Sequence, residues 1–203
     1  MKYAASTAIL SAILLAGCAS SINLYTASTY AKGCHGWQAQ DEWWKARKAC
    51  GRAVVNAQLG GAPENSLAVL WYEYGRTSGA ICDYTEAQRG LDEALKLDQK
   101  TGGPVYMSLL EMARLNMAQG KYADAAAYYE KFWQAVPMQK AESNDPTGMA
   151  EVLDEQAEAY RHIGKNNLAN KQTARALQLR AANLGKRSNT DRTPYGQFCY
   201  QKS

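Results

Sequence analysis

The sequence predicts an all-α protein, built as a short solenoid of stacked helical hairpins. Residues 66–98 place apolar and small side chains three and four positions apart, which is the spacing of amphipathic helices. Comparable stretches recur twice downstream, and a helix pair this short needs similar neighbours to bury both of its faces. The composition agrees, because Ala, Gln and Leu are common and the 203 residues include only 5 Pro.

The stretch from Ser66 to Asp98 is predicted to form two helices joined by a short turn. The first runs to about Gly79 and the second from about Thr85 to Leu97. The positions that form their apolar or small-residue faces are Leu67, Leu70, Trp71, Tyr74 and Gly75, followed by Ala87, Leu91, Ala94, Leu95 and Leu97.

One order of residue types occurs three times along the chain. A large residue is followed by a large and small pair, then by an Ala with another core position four residues later. The copies are Trp71, Tyr74, Gly75, Ser78, Ala87 and Leu91; Leu109, Met112, Ala113, Asn116, Ala125, Tyr129 and Pro137; and Leu153, Gln156, Ala157, Tyr160, Ala169 and Thr173. This pattern resembles the tetratricopeptide repeat (TPR) family over roughly residues 64–184. A generic helical bundle with accidental spacing is the alternative.

The resemblance implies where the helices of each repeat cross. Small residues are expected at the crossing because larger side chains would push the pair apart. These residues are Gly75, Ala113 and Ala157 in the first helices and Ala87, Ala125 and Ala169 in the second. The anchors Trp71, Leu109 and Leu153 are 38 and 44 residues apart, against 34 in the standard repeat. The extra residues, about 99–103 and 138–148, are rich in Gly, Pro, Asn and Asp and are predicted to be longer loops.

The N-terminus predicts export and lipid attachment. Lys2 precedes an apolar or small-residue run from Ala4 to Ala16, which is typical of a secretory signal and too short for a membrane span. The ending Leu15-Ala16-Gly17-Cys18 resembles the lipobox of bacterial lipoproteins. This resemblance implies cleavage before Cys18 and acyl chains on its sulfur. Because Ala19 follows rather than Asp, it also implies the outer membrane of a Gram-negative bacterium. An ordinary secreted protein with an incidental Cys18 is the alternative.

These patterns divide the chain into four segments. They are a signal peptide over 1–17, a lipidated N-terminus and tether over 18–36, a helical domain over 37–184 and a C-terminal tail over 185–203. Ser, Thr and Ala dominate between Ala19 and Gly33, which favours the tether. One helix from Gln38 to Leu59 is expected to cap the first repeat, as solenoid ends require.

Two aromatic features lie at the ends of the helical domain. Trp43 and Trp44 are adjacent and cannot both face one core, so either both are partly buried or one lies near lipid headgroups. The tail from Tyr195 to Tyr200 carries two tyrosines, a phenylalanine and a cysteine. A free tail would seldom carry these residues, so we expect it to dock on the solenoid or along its groove.

The cysteines predict two disulfides. With Cys18 lipidated, the remaining four are an even number in an oxidising compartment, and they allow three pairings. If the capping helix behaves like the second helix of a preceding repeat, its start lies at the same end of the stack as Cys82. That placement favours Cys34 with Cys82, which leaves Cys50 with Cys199.

No catalytic, metal or cofactor site is predicted. Cys34 and His35 are adjacent and offer a metal pair or a nucleophile with a base, but His162 is the only other histidine. Phosphate-binding loops and Gly-x-Ser-x-Gly are absent from the sequence. The net charge of +4, which falls by one with the loss of Lys2, is spread evenly, so nucleic acid is not a predicted partner.

The TPR resemblance implies a groove lined by the first helix of each repeat. Matched to this sequence, the groove residues are Val69, Tyr72, Arg76, Met107, Leu110, Arg114, Met117, Glu151, Asp154, Glu158 and Arg161. Arg76 and Arg114 occupy equivalent positions, so they are expected to receive a carboxylate of an extended or helical peptide. Tyr72, Met107 and Met117 would supply adaptable apolar contact.

Three functions are consistent with these features. The first is an outer-membrane scaffold or assembly factor for an envelope machine, binding protein partners and held to the membrane by its N-terminal lipid. Lipoproteins of this repeat family include pilotins and components of outer-membrane assembly. The second is an adaptor that regulates peptidoglycan enzymes. The third is an enzyme or ligand carrier that uses Cys34 and His35.

Overall fold

Nine helices account for the regular structure in a computed structural model, which describes residues 4–189 and 192–200, with side chains from residue 20 onward. Over that part of the chain there is no strand. The helices are α1 (Ala4–Gln38), α2 (Trp43–Leu59), α3 (Glu64–Ala80), α4 (Tyr84–Thr101), α5 (Val105–Ala118), α6 (Tyr122–Ala135), α7 (Met138–Asn144), α8 (Pro146–His162) and α9 (Asn166–Ala181).

The helices pack as four consecutive hairpins. The pairs are α1 with α2, α3 with α4, α5 with α6, and α8 with α9, and each hairpin packs on the next through α2–α3, α4–α5 and α6–α8. The short α7 packs on α8. Since the main contacts of each hairpin in the described part of the chain are with its neighbours in sequence, the architecture is that of an α-solenoid.

Each hairpin turns through one residue with a positive φ. These residues are Asp41 (57°), Cys82 (69°), Gly120 (69°) and Gly164 (75°). A left-handed residue just past a helix ends it and favours glycine, because other side chains are strained there. Cys82 therefore occupies the position that glycine holds in the next two hairpins.

The small residues lie where the pattern predicted them. The six Gly and Ala positions named above are all buried. The closest approach is between α3 and α4, where a Cβ built on Gly90 would lie 2.7 Å from the Cα of Gly75. Two backbones meet there, so neither glycine has room for a side chain.

The predicted tether is wrong for the residues whose side chains are described. From Ser20 onward the segment belongs to α1, which packs along α2. Ala27 and Cys34, two helical turns apart, are buried on one face of α1. The hydroxyl of Thr26 donates to the carbonyl of Ile22, so it does not compete with the helix. The predicted capping helix is α2, and it has α1 as its partner in a complete hairpin.

The predicted cysteine pairing is also wrong, although all four cysteines pair. The disulfides are Cys34–Cys50 and Cys82–Cys199. Because α1 continues as a helix through residue 34 and lies along α2, the Cα atoms of Cys34 and Cys50 are 5.2 Å apart. Cys82 lies in the α3–α4 turn and is bonded to Cys199 of the C-terminal tail instead.

Three further predictions concern the loops, the tryptophans and the membrane. The predicted loop over 138–148 contains α7 and the start of α8, so it is largely helical. Trp43 is buried and Trp44 is half-buried, as in the first of the two alternatives.

Among the described residues, no helix combines the length and the apolar character that crossing a membrane demands. The signal peptide and Cys18 fall where the structure describes no side chains.

Candidate functional site

Three buried glutamates mark one surface of the solenoid. Glu73, Glu111 and Glu155 come from α3, α5 and α8, and their exposed fractions are 8%, 2% and 6%. Each stands two residues after a repeat anchor, so they share the 38- and 44-residue spacing of the anchors. We call the surface of α3, α5 and α8 that carries them the inner face. This regular spacing was the sequence signal for the site, and the groove prediction missed it.

Two arginines connect these glutamates into a chain of alternating charge. Arg76 Nη1 lies 3.1 Å from Glu73 Oε1, and Arg76 Nε lies 3.8 Å from Glu111 Oε2. Arg114 Nη1 lies 2.9 Å from Glu111 Oε1, and its Nε lies 2.9 Å from Glu155 Oε2. Carboxylates of this chain therefore occupy the places at which Arg76 and Arg114 were predicted to receive a partner's carboxylate.

Glu111 is the centre of this network. Burial alone would raise the pKa of its carboxyl, but Arg114 and Arg76, with hydrogen bonds from Thr193 and Tyr195, hold that pKa below its ordinary value of 4.5. Burial would lower the pKa of the Arg114 guanidinium, whereas Glu111 and Glu155 raise it above its ordinary value. Glu111 and Arg114 are consequently both charged at neutral pH, and each keeps the other in its charged form.

The last described residues, 192–200, lie across the inner face. We call them the C-terminal segment. Arg192 Nη2 lies 2.7 Å from Glu155 on α8. Thr193 Oγ1 donates to Glu111 Oε2 at 2.7 Å and accepts from Arg76 Nε at 2.7 Å. The segment thus runs from α8 through α5 to α3, opposite to the order of the helices, and it confirms that the tail docks along the groove.

The far half of the C-terminal segment is held by its main chain. The amide of Gly196 donates to the carbonyl of Gly79 at 3.1 Å, and the amide of Phe198 donates to Ala80 at 3.0 Å. The indole of Trp44 donates to the carbonyl of Phe198 at 3.0 Å. The bond from Cys199 to Cys82 then fixes the end of the segment covalently.

Tyr195 anchors the middle of the segment. Its hydroxyl donates to Glu111 Oε2 at 2.8 Å, and its ring lies where a Cβ on Gly79 would be. Burial, reinforced by the Glu111 charge, raises the pKa of the Tyr195 hydroxyl well above 10.0. The glycine at position 79 therefore makes room for the ring, and the glutamate binds the hydroxyl.

Four predicted groove residues share a cavity of about 250 Å³ beside the segment. They are Tyr72, Met107, Leu110 and Arg114. Phe132, Val136 and Lys140 of α7 are also among the lining residues. Met107 is 39% exposed, so part of this apolar lining is open to solvent.

Four of the remaining groove residues are divided between two places. Met117 and Glu158 line a hollow of about 450 Å³ on the other side of the C-terminal segment, together with Arg114. Asp154 and Arg161 instead contact α9, where Asp154 pairs with Arg180 at 2.6 Å and Arg161 donates to Thr173 at 2.8 Å. The structure therefore does not bring Asp154 and Arg161 to the inner face. A larger hollow between α6, α8 and α9 contains none of the predicted groove residues.

The proposed chemistry of Cys34 and His35 is not available in this structure. Cys34 is 2% exposed and bonded to Cys50, so it is not a free thiol beside a base. Within the described ranges, no group of three His, Cys, Asp or Glu side chains is arranged to hold a metal ion.

No family model matches this sequence, and comparison with curated proteins gives no match. Solved structures share the fold. BtubC from P. vanneervenii superposes with a TM-score of 0.70 at 18% identity, over 82% of this chain and 67% of that chain. For MamA the TM-score is 0.61 at 18% identity, over 77% and 79% of the two chains.

A third similar structure is a putative kinesin light chain from Podosopora anserina with nearly identical TPR-like repeats. Its TM-score is 0.60 at 18% identity, over 79% of this chain and 77% of that chain. At these identities the similarity concerns the fold alone. The fold is a TPR-type solenoid, which confirms the fold class predicted from the repeat pattern.

Proposed function

We propose that this chain is a TPR-type scaffold that binds a protein partner in the bacterial envelope. The observation that carries this proposal is the apolar cavity of about 250 Å³ on the inner face. Small-molecule sites usually exceed about 300 Å³, so this cavity suits one large apolar side chain of a protein or peptide. Tyr72, Met107 and Leu110 supply the adaptable apolar wall that such an anchor residue needs.

Crosslinking in the native envelope tests this proposal. A photoreactive amino acid at Lys140 would stand beside the cavity, and one at Leu177, which is 60% exposed on α9, would serve as the remote control. We expect one partner, identified by mass spectrometry, to be captured from position 140 and not from 177. Met107→Glu should abolish that capture by placing a charge in the apolar lining, whereas Leu177→Glu should not. Equal capture by both variants would refute the cavity as the binding site.

We further propose that acyl chains on Cys18 hold the protein to the periplasmic face of the outer membrane. The Leu-Ala-Gly-Cys ending supports this, as do two disulfides, which persist in oxidising compartments. Ile22 and Tyr25, 65% and 77% exposed, lie four and seven residues after Cys18 and would contact the bilayer interface. Because α1 already packs on α2 from this point, the solenoid would stand close to the membrane without a flexible spacer.

Mass spectrometry of the N-terminal peptide tests the anchor. We expect Cys18 to be the first residue and to carry acyl chains, and the protein to sediment with outer membranes. Two or more chains are needed for stable attachment, since one chain gives only marginal membrane binding. Cys18→Ser should release the protein from membranes, and an unmodified Cys18 in the wild type would exclude this mode of attachment.

The envelope machine itself can be tested with a deletion strain. Loss of pili or of secretion would support a scaffold for a secretin or secretion machine. Altered cell-wall lysis with intact pili and secretion would contradict that assignment and favour an adaptor of peptidoglycan enzymes.

A further inference from the structure

The two disulfides differ in their exposure to solvent. Cys34 and Cys50 are each 2% exposed, so their bond is enclosed between α1 and α2. Cys82 and Cys199 are both half-buried, and they line an open hollow of about 750 Å³ together with Trp44, Lys45 and Lys48. A thiol reagent can therefore reach the second bond while the first stays protected.

Cys82 is also in an unfavourable backbone conformation. Its φ of 69° equals that of Gly120 in the equivalent turn of the next hairpin. A side chain in the left-handed region is strained relative to glycine. The disulfide is thus formed from a turn position where the backbone alone would favour glycine.

The C-terminal segment is fastened at both of its ends. On one side Arg192 Nη2 lies 2.7 Å from Glu155, and before the segment the amide of Asn189 donates to Asp145 Oδ2 at 3.0 Å. On the other side the bond from Cys199 to Cys82 is covalent. A segment held at both ends rebinds at a high effective concentration, so a separate peptide cannot compete with it.

We infer that the C-terminal segment is an internal ligand of the inner face, and that opening the Cys82–Cys199 bond allows a peptide of a partner to replace it. This inference rests on the proposed function, because it concerns how the same face becomes available. With the bond open, the Cys199 end is held by the main-chain hydrogen bonds of Gly196 and Phe198 and the indole of Trp44, so it is the end that detaches first.

The contacts of the segment define the chemistry of the competing peptide. Glu111 accepts hydrogen bonds from the hydroxyls of Thr193 and Tyr195, two residues apart, and Glu155 pairs with Arg192 immediately before them. A replacement must therefore carry a basic residue, then a hydroxyl residue, then a tyrosine two positions later. It must also turn as the segment does, where the amide of Gln197 donates to the carbonyl of Pro194 at 3.2 Å. A peptide without these hydroxyls would leave the buried carboxylate of Glu111 with fewer donors.

The opening step is thiol–disulfide exchange with a dithiol reductant. One reductant thiolate attacks a sulfur of the Cys82–Cys199 bond, which breaks as a mixed disulfide forms and the other cysteine leaves as a thiolate. The second thiol of the reductant, as its thiolate, then attacks the mixed disulfide and releases the cysteine that is still bonded to the reductant. The reductant gives up two electrons and two protons and becomes a disulfide, and Cys82 and Cys199 end as two thiols.

A peptide-binding experiment on the whole chain tests the inference. The probe is a fluorescent peptide of residues 192–198, RTPYGQF, and its control carries Thr193→Val and Tyr195→Phe. Dithiothreitol is titrated, and alkylation with mass spectrometry identifies the step at which Cys82 and Cys199 are free while Cys34 and Cys50 remain bonded. Cys199→Ser and Cys82→Gly open the same bond without reductant, and the second also relieves the strained turn. Circular dichroism confirms that each form remains helical.

We expect no probe binding to the oxidised chain and saturable binding to the reduced chain and to both variants. Amide exchange at Gly196 and Phe198 should accelerate by about tenfold or more once the bond is open. The control peptide should bind about tenfold more weakly or worse, because it lacks both hydroxyls.

Equal probe binding before and after opening, or unchanged exchange at Gly196 and Phe198, would overturn the inference. Equal binding of probe and control peptide would overturn the stated partner chemistry. Because this test needs no cellular partner, it is independent of the crosslinking experiment. Loss of crosslinking with intact probe binding would reject the proposed function and leave the release of the segment standing.

Discussion

Tyr195 and Glu111 are 84 residues apart in sequence, and the hydroxyl of one donates to the carboxylate of the other at 2.8 Å. Both side chains are buried, at 9% and 2% exposure. The same carboxylate is bound by Thr193, Arg76 and Arg114, so one side chain joins α3, α5 and the C-terminal segment. Glu111 is therefore the residue on which both the stability of the inner face and the docking of the segment depend.

Removing the Tyr195 hydroxyl should loosen the segment while the solenoid remains folded. A hydrogen bond to a charged acceptor contributes about 1.5–3 kcal/mol, so Tyr195→Phe should weaken docking by that amount. The measurement is hydrogen exchange at the amide of Gly196. Tyr200→Phe, at a residue that is 90% exposed, is the matched control and should leave the exchange rate unchanged. The same exchange rate in both variants would argue against the hydrogen bond to Glu111.

Neutralising Glu111 should destabilise the whole fold. Glu111→Gln leaves two buried guanidinium groups with one fewer anion, and breaking a buried pair in this way costs about 3–5 kcal/mol. Urea unfolding followed by circular dichroism gives the free energy of unfolding. Glu64, whose pair with Lys100 is exposed, supplies the control, because Glu64→Gln should cost no more than about 1 kcal/mol. A similar loss of unfolding free energy in the two variants would mean that the buried pairs of Glu111 stabilise the fold no more than an exposed pair does.

Glycine positions should respond according to the space around them. Gly90→Ala places a Cβ 2.7 Å from the backbone of Gly75, so we expect a loss of about 1–3 kcal/mol as α3 and α4 separate. Gly36 lies in α1, and a Cβ added there would have no neighbouring atom within 4 Å, so Gly36→Ala should stabilise the helix by about 0.5–1 kcal/mol. The melting temperature should therefore fall in Gly90→Ala and rise in Gly36→Ala. Shifts of the same sign would contradict the close approach of α3 and α4.

Stability should decline on both sides of neutral pH. The pKa of Glu111 is lower when folded, so its contribution is complete above its ordinary value of 4.5 and is lost as pH falls through the folded value. The pKa of Tyr195 is higher when folded, so its contribution is complete below 10.0 and is lost as pH rises towards the folded value. Melting temperatures measured from below pH 4.5 to above pH 10.0 test both declines.

Two variants separate these effects from other titrating groups. Glu111→Gln should flatten the acid side of the melting profile, and Tyr195→Phe should flatten the alkaline side. An acid decline as steep in Glu111→Gln as in the wild type would assign that decline to other carboxyl groups.

The helices and their crossings were predictable because their signals are local. Apolar side chains three and four residues apart define a buried stripe whatever else the chain does, and Gly75, Ala113 and Ala157 then mark the contact with the second helix. Gly120 and Gly164, in equivalent turns, carry the same kind of local information. The sequence by itself therefore determined the solenoid and the three hairpins that carry the repeat pattern.

The tether was mispredicted because propensity is weak compared with packing. Between residues 19 and 33, Ser and Thr disfavour a helix only weakly and Ala favours one, and the burial of Ala27 and Cys34 against α2 decides the outcome. That burial also brought Cys34 to Cys50, so one error in the helix assignment produced the error in the disulfide pairing.

Only the tertiary structure decided what occupies the inner face. Arg76 and Arg114 look like free cations along the sequence, yet each meets glutamates from its own and a neighbouring repeat. The C-terminal segment reaches Glu111 across more than eighty residues, and Cys199 reaches Cys82 across 117. Charge pairing and docking depend on distances in space, which local periodicity does not encode. The repeats were therefore determined by sequence, whereas the ligand already lying on them was determined by the fold.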